Sequence, residues 1–214
     1  MKVALVSILV CVLPFVILFI IGQLLKTGRS KKMQSFADGA KFSFLNKRDN
    51  SYLSKLPNFS LFSKGRKKTV RNILSGQRDS FKISIFHYSY RENSGGESEQ
   101  SCIYTVAFFE SEKFSIPAFS LRPKRLIEFG KSSGFKIESS PTFSKRYLLQ
   151  GDEAEAIINL FNPDILRIFE EEKGWYMESV DSKLLFYKSR YLAPKKLSPF
   201  LDKSHRIATM FIGR

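Results

Sequence analysis

Reactive side chains are scarce in this 214-residue chain, which has two cysteines, two histidines and one tryptophan. Cys11 falls inside an apolar run and Cys102 far outside it, so the two are not expected to pair and no disulfide framework is read here. His205 has no second His or Cys at metal-ligand spacing, which removes the usual sign of a zinc site. The glycines form no Gly-x-Gly-x-x-Gly turn, no Gly-x-x-x-x-Gly-Lys-Ser/Thr phosphate loop and no Gly-x-Ser-x-Gly elbow. No internal repeat is evident. No cofactor and no metal is therefore expected.

Charge is also missing, but only locally: none occurs from Val3 to Leu25. The 19 residues from Val3 to Ile21 would rise about 29 Å as a helix, close to the ~30 Å hydrocarbon core of a bilayer. Pro14 would break a helix in water. In lipid the backbone has no other hydrogen-bond partner, so a kinked helix is expected. A cleaved leader has a shorter apolar core followed by a small-x-small site, and Phe19-Ile20-Ile21-Gly22-Gln23 offers none. Residues 1–25 accordingly read as an uncleaved transmembrane helix. Only Lys2 and the amino group precede the run, whereas Lys26, Arg29, Lys31, Lys32 and Lys41 follow it. Basic flanks stay inside, so a single-pass protein of the cell membrane is expected, with its folded part in the cytoplasm.

The net charge of +15 is concentrated. Residues 22–79 hold fourteen Lys or Arg against three Asp, a net of +11, and residues 80–214 carry only +3. Cations gathered beside a membrane span point to anionic lipid headgroups, since each contributes about 1 kcal/mol near an anionic leaflet. Residues 26–70 thus read as a basic juxtamembrane segment in which Phe36, Phe42, Phe44, Tyr52, Phe59 and Phe62 interleave with the cations. Such rings suit a membrane interface, and they suit equally the flank of a following domain. The candidate headgroup contacts are Lys31, Lys32, Lys41, Lys47, Arg48, Lys64, Arg66, Lys67, Lys68 and Arg71. No recognised nucleic-acid-binding motif accompanies them, so nucleic acid is not the expected partner.

Residues 71–214 are enough for one compact domain. Phe81 to Tyr90 alternates and reads as a strand, and Cys102 to Phe109 as its hairpin partner across the Asn93-Ser94-Gly95-Gly96 loop. Further strands are expected at Ala118 to Arg122, Phe143 to Leu149, Trp175 to Ser179 and Lys183 to Lys188. Gly151-Asp152 with Glu155 resembles a capping box ahead of Ala154, Ile157, Ile158 and Phe161. Asn162-Pro163 and Ser198-Pro199 each read as a helix start. Strands early and helices late, without βαβ alternation, predict an α+β domain with a mainly antiparallel sheet and two to three helices.

Four stretches then carry a resemblance. Ser75-Gly76, Ile83 to Tyr90, the Pro117-Ala118-Phe119-Ser120-Leu121-Arg122-Pro123 motif and Pro141-Thr142-Phe143-Ser144-Lys145-Arg146-Tyr147-Leu148-Leu149-Gln150-Gly151 are similar to a family of uncharacterised bacterial membrane-anchored proteins. The likeness covers roughly residues 70–214 and includes Leu184 to Lys188 and the Pro194 to Phe200 stretch. It implies an apolar anchor ahead of this domain and no particular reaction. His87 stands where members often have Asp, and Lys124 where they have an acidic residue.

The reading with most support is a non-enzymatic, membrane-tethered interaction or sensing domain with an unidentified protein partner. One alternative is an enzyme with a site near His87, Cys102 and Arg122, because hairpin pairing can bring a thiol to an imidazole. Another is a nucleic-acid binder at the membrane, using Lys64 to Arg71. The Glu170-Glu171-Glu172 run ends a helix and is expected to be solvated.

Overall fold

The computed structural model describes residues 16–17, 27–56, 58–93, 99–125 and 134–212. Of the expected transmembrane helix only Val16 and Ile17 are described; both are helical and exposed. The rest of that span lies outside the described residues. Among the described residues no helix is long and apolar enough to cross a membrane.

Helix α1 covers residues 27–40. Strand β1 (Ser43–Leu45) follows, then a 3-10 turn (Asn50–Lys55) and the single-turn α2 (Ser60–Ser63). Three long strands come next, β2 (Arg66–Arg78), β3 (Phe81–Asn93) and β4 (Glu99–Glu110). The remainder is β5 (Phe119–Pro123), α3 (Pro141–Arg146), β6 (Tyr147–Gly151), α4 (Ala154–Leu160), α5 (Pro163–Glu171), β7 (Tyr176–Val180), β8 (Lys183–Lys188) and α6 (Leu197–Met210). All eight strands join one antiparallel sheet in the order β1-β2-β3-β4-β8-β7-β5-β6. The α+β architecture with a mainly antiparallel sheet is present. Its helices outnumber the expected two to three, because α1 and α2 arise from the basic segment and α3 adds a fourth beyond residue 71.

Both faces of the sheet are covered, which explains why β3 is apolar at odd and even positions alike. Phe81, Ile83 and Ile85 face a core built with α1 and α3 to α6, including Met33, Phe143, Phe169, Trp175 and Phe211. Phe86, Tyr88 and Tyr90 face a second core, closed by Leu56, Phe59, Leu61 and Phe62 from the segment before β2. Residues 27–63 therefore contribute to both cores, and the aromatics Phe42, Phe59 and Phe62 are buried against the sheet. The ring of Phe42 lies where a Cβ on Gly76 would stand, 2.1 Å from its nearest atom, so only glycine lets α1 and β1 close on β2. The segment over the second face is also pinned by a buried acid. Glu178, only 3% exposed, accepts from the Ser60 amide at 2.6 Å, the Ser60 hydroxyl at 2.8 Å and the Tyr187 hydroxyl at 2.8 Å.

Local grammar holds in some places and gives way in others. Asn162 caps α5 through the Ile165 amide at 2.9 Å with Pro163 at the first position, and Asp181-Ser182 turns β7 into β8 with both residues at positive φ. The expected strand from Phe143 begins only at Tyr147, because Ser140 caps Pro141–Arg146 as a helix instead. The capping box expected at Asp152 is not formed: Glu153 is the cap residue and makes no side-chain cap bond. Likewise α6 opens at Leu197, ahead of Ser198, with Pro199 in its first turn where an amide has no intrahelical partner to lose.

Candidate functional site

The β2–β3 hairpin gathers a group of cations at one of its ends. Its turn leaves Arg78 opposite Phe81, and pairing runs back to Val70 opposite Tyr88 and Arg66 opposite Arg91. Gly65, at φ +62, starts β2 where a Cβ would lie 2.2 Å from the Tyr90 ring and 2.6 Å from the Arg91 carbonyl oxygen. Two bulges, between Arg66 and Thr69 and between Arg71 and Leu74, shift the register and re-aim side chains. The outcome is a hollow of about 360 Å³ at the Arg66 end of the hairpin, lined by Arg48, Lys67, Thr69, Arg71, Ser89 and Arg91 among others, with no carboxylate in the lining.

One acid sits beside it. Glu99 pairs with Arg66 at 3.0 Å, Lys67 at 3.2 Å and Arg91 at 2.9 Å, and its hydrogen bonds from Arg91 and Lys67 lower its pKa. Arg48 donates to Asn50 Oδ1 at 3.3 Å, and Arg71 has no hydrogen-bond or ion-pair partner among the described residues. Glu99 thus pairs with three of these five cations and with neither Arg48 nor Arg71. Like charges held this close repel unless counterions or an anionic partner screen them.

The ten expected headgroup contacts do not all gather here. Arg48, Lys67 and Arg71 line the hollow and Arg66 borders it through Glu99. Lys68 turns away to donate to the Phe62 carbonyl at 2.7 Å. Lys41 lies beside Gln77 and Arg78, roughly 30 Å along β2 from Lys67. Lys31, Lys32, Lys47 and Lys64 are exposed. Two cations of this end stand outside that set, Arg91 and Arg29. Recognising β2 as a strand would have found Arg91, because the turn at Asp79-Ser80 sets Arg66 within two residues of it.

A second hollow of about 460 Å³ adjoins the first through Arg71, where α1 begins. Arg29 reaches the Leu192 carbonyl at 3.4 Å and lies 5.9 Å from the Tyr191 ring centroid. His87, 2% exposed, stacks on Tyr191 at 4.5 Å and places Nδ1 2.9 Å from the Asn72 amide nitrogen. Burial first, and the Arg29 charge second, lower the His87 pKa to about 4, so the ring is neutral near pH 7.

The nucleophile alternative does not assemble. His87 pairs with Thr105 while Cys102 pairs with Tyr90, and their side chains leave opposite faces of the sheet. The Cys102 thiol lies 3.2 Å from a Glu92 carboxylate oxygen, and burial followed by that contact raises its pKa, the reverse of an activated thiol. Arg122 is on β5, three strands from β4, roughly 14 Å away at the usual spacing. The buried Lys188 has its pKa lowered to about 8 by desolvation, yet it is enclosed by Glu172 at 3.0 Å and the Trp175 ring at 4.0 Å.

No protein-family model and no curated protein matches the chain. In fold it is similar to the crystal structure of the mycobacterial trehalose monomycolate transport factor A, TtfA. The match has a TM-score of 0.57 at 13% identity and covers 86% of this chain and 92% of that one. The two chains share an architecture.

Proposed function

We infer that the chain is a single-pass membrane protein whose folded part is a non-enzymatic module held on the cytoplasmic face, with its basic end against anionic lipid headgroups. The observation that carries this reading is the convergence of Arg48, Lys67, Arg71 and Arg91 on one hollow that no carboxylate lines. Its position agrees, because the same end holds Arg29 at the start of α1, just after the apolar run. A fold shared with a trehalose monomycolate transport factor supports a lipid-related role. The dispersal of His87, Cys102 and Arg122 leaves the enzymatic alternative without its residues.

The test is backbone hydrogen exchange of the full chain in nanodiscs of phosphatidylcholine alone or with phosphatidylglycerol. Slower exchange over residues 66–71 and 89–101 in the anionic discs is expected. Equal exchange in the two lipids would remove the headgroup contact from the account.

A further inference from the structure

The hollow at the start of α1 differs from the basic groove beside it in being chemically mixed. It is lined by two guanidinium groups, Arg29 and Arg71, together with Ser30, Asn46, Asn72, Tyr191 and the apolar Met33. We propose that this hollow is a discrete site for one phosphate group carrying a hydroxylated substituent, the chemistry of a polyol phosphate headgroup. The proposal rests on the lipid-surface reading above and adds a single-molecule site to it.

Three features build the site. Its volume of about 460 Å³ falls within the range of small-ligand pockets and is ample for a headgroup. Guanidinium forks match phosphate oxygens in pairs, and no carboxylate lines the hollow to compete for them. The backbone is also shaped for it: Asn72 has φ 54, inside the bulge between Arg71 and Leu74. Asparagine tolerates that left-handed conformation, and the bulge turns its side chain away from the regular strand direction.

Below the hollow, His87 fixes that aim. With its ring neutral, Nδ1 accepts from the Asn72 amide at 2.9 Å, which leaves the Asn72 side-chain oxygen for a ligand hydroxyl. Asn46 already donates to the Ser30 hydroxyl at 2.6 Å, so the opposite wall is ordered as well. His87 is thus a positioning residue, and the two arginines are the binding groups.

The experiment uses the full chain in nanodiscs with three arms: phosphatidylcholine alone, phosphatidylcholine with phosphatidylglycerol, and phosphatidylcholine with inorganic phosphate in solution. Exchange is followed over residues 27–33 and 72–73 for the site, and over 66–69 and 89–101 for the surface. Phosphatidylglycerol should slow both site segments by about tenfold once it exceeds its dissociation constant tenfold. Arg29→Gln and Arg71→Gln should each abolish that effect, while Arg29→Lys, which keeps charge without the fork, retains only part of it. Equal slowing by inorganic phosphate would support the anion site and assign it a soluble ligand. Protection over 66–69 and 89–101 that persists with no lipid effect at 27–33 and 72–73 overturns the site and leaves the lipid-surface reading standing. Loss of lipid dependence everywhere overturns both.

Discussion

The two ends of the sheet are built from the same three long strands and differ in charge. At the Gly76 end a hollow of about 770 Å³ is lined by Lys82, Lys113, Lys183, Glu110, Glu112 and Asp181, three of each sign. At the Arg66 end a hollow of about 360 Å³ is lined by Arg48, Lys67, Arg71 and Arg91 with no acid. The larger cavity balances its charges, whereas the smaller one concentrates a field that an anion would relieve. Imbalance of charge, more than volume, distinguishes the end proposed to meet lipid.

Four changes break or sharpen that contrast. The largest effect is expected from replacing Arg48, Lys67, Arg71 and Arg91 together by Gln. At about 1 kcal/mol per cation, the docking equilibrium on anionic lipid should fall by about a thousandfold, read from hydrogen exchange in nanodiscs. Replacing Lys82, Lys113 and Lys183 at the other end should leave it unchanged.

Second is the pH dependence of stability. The unfolded chain binds a proton on His87 below about pH 6.5, while the folded ring refuses it until about pH 4. Unfolding therefore takes up a proton across that window, and stability should fall by up to ~3 kcal/mol as pH drops from 6.5 to 4. Denaturant melts at stepped pH would show it, and His87→Gln should flatten that part of the slope.

Third, Gly65→Ala should cost about 2 kcal/mol and lower the melting temperature, since it adds a clash with Tyr90 and Arg91 to a backbone at positive φ. Gly174→Ala, also at positive φ but facing open space, should cost about half as much. Smallest is Glu99→Gln, which frees Arg66, Lys67 and Arg91. Exposed pairs are weak, so docking on anionic lipid should strengthen by about fivefold at most, and less in high salt.

How much of this was legible beforehand depended on period and cap signals. The strands β3, β4, β5, β7 and β8 announce themselves by apolar runs between turn residues, and α5 by Asn162-Pro163. Strand β2 does not, because its two bulges break the period-2 spacing of Val70, Ile73 and Leu74 and five cations mask the rest. With β2 hidden, Arg66 to Val70 read as the end of the juxtamembrane segment, whereas they open the first strand of the β2–β3 hairpin. Arg91 was invisible as a site residue for the same reason. Helix α1 was missed because it buries little more than Met33 and Ala37 of its 14 residues, too narrow a stripe to register as amphipathic.

The most direct test of the central claim places a fluorophore at either end of the sheet in the full chain. Ser101→Cys or Glu112→Cys would be labelled in a Cys11→Ser, Cys102→Ser background, and the protein reconstituted with phosphatidylglycerol and headgroup-quencher lipid. Strong quenching at position 101 with little at 112 is the predicted result. Equal quenching at the two positions, or stronger quenching at 112, would contradict the account.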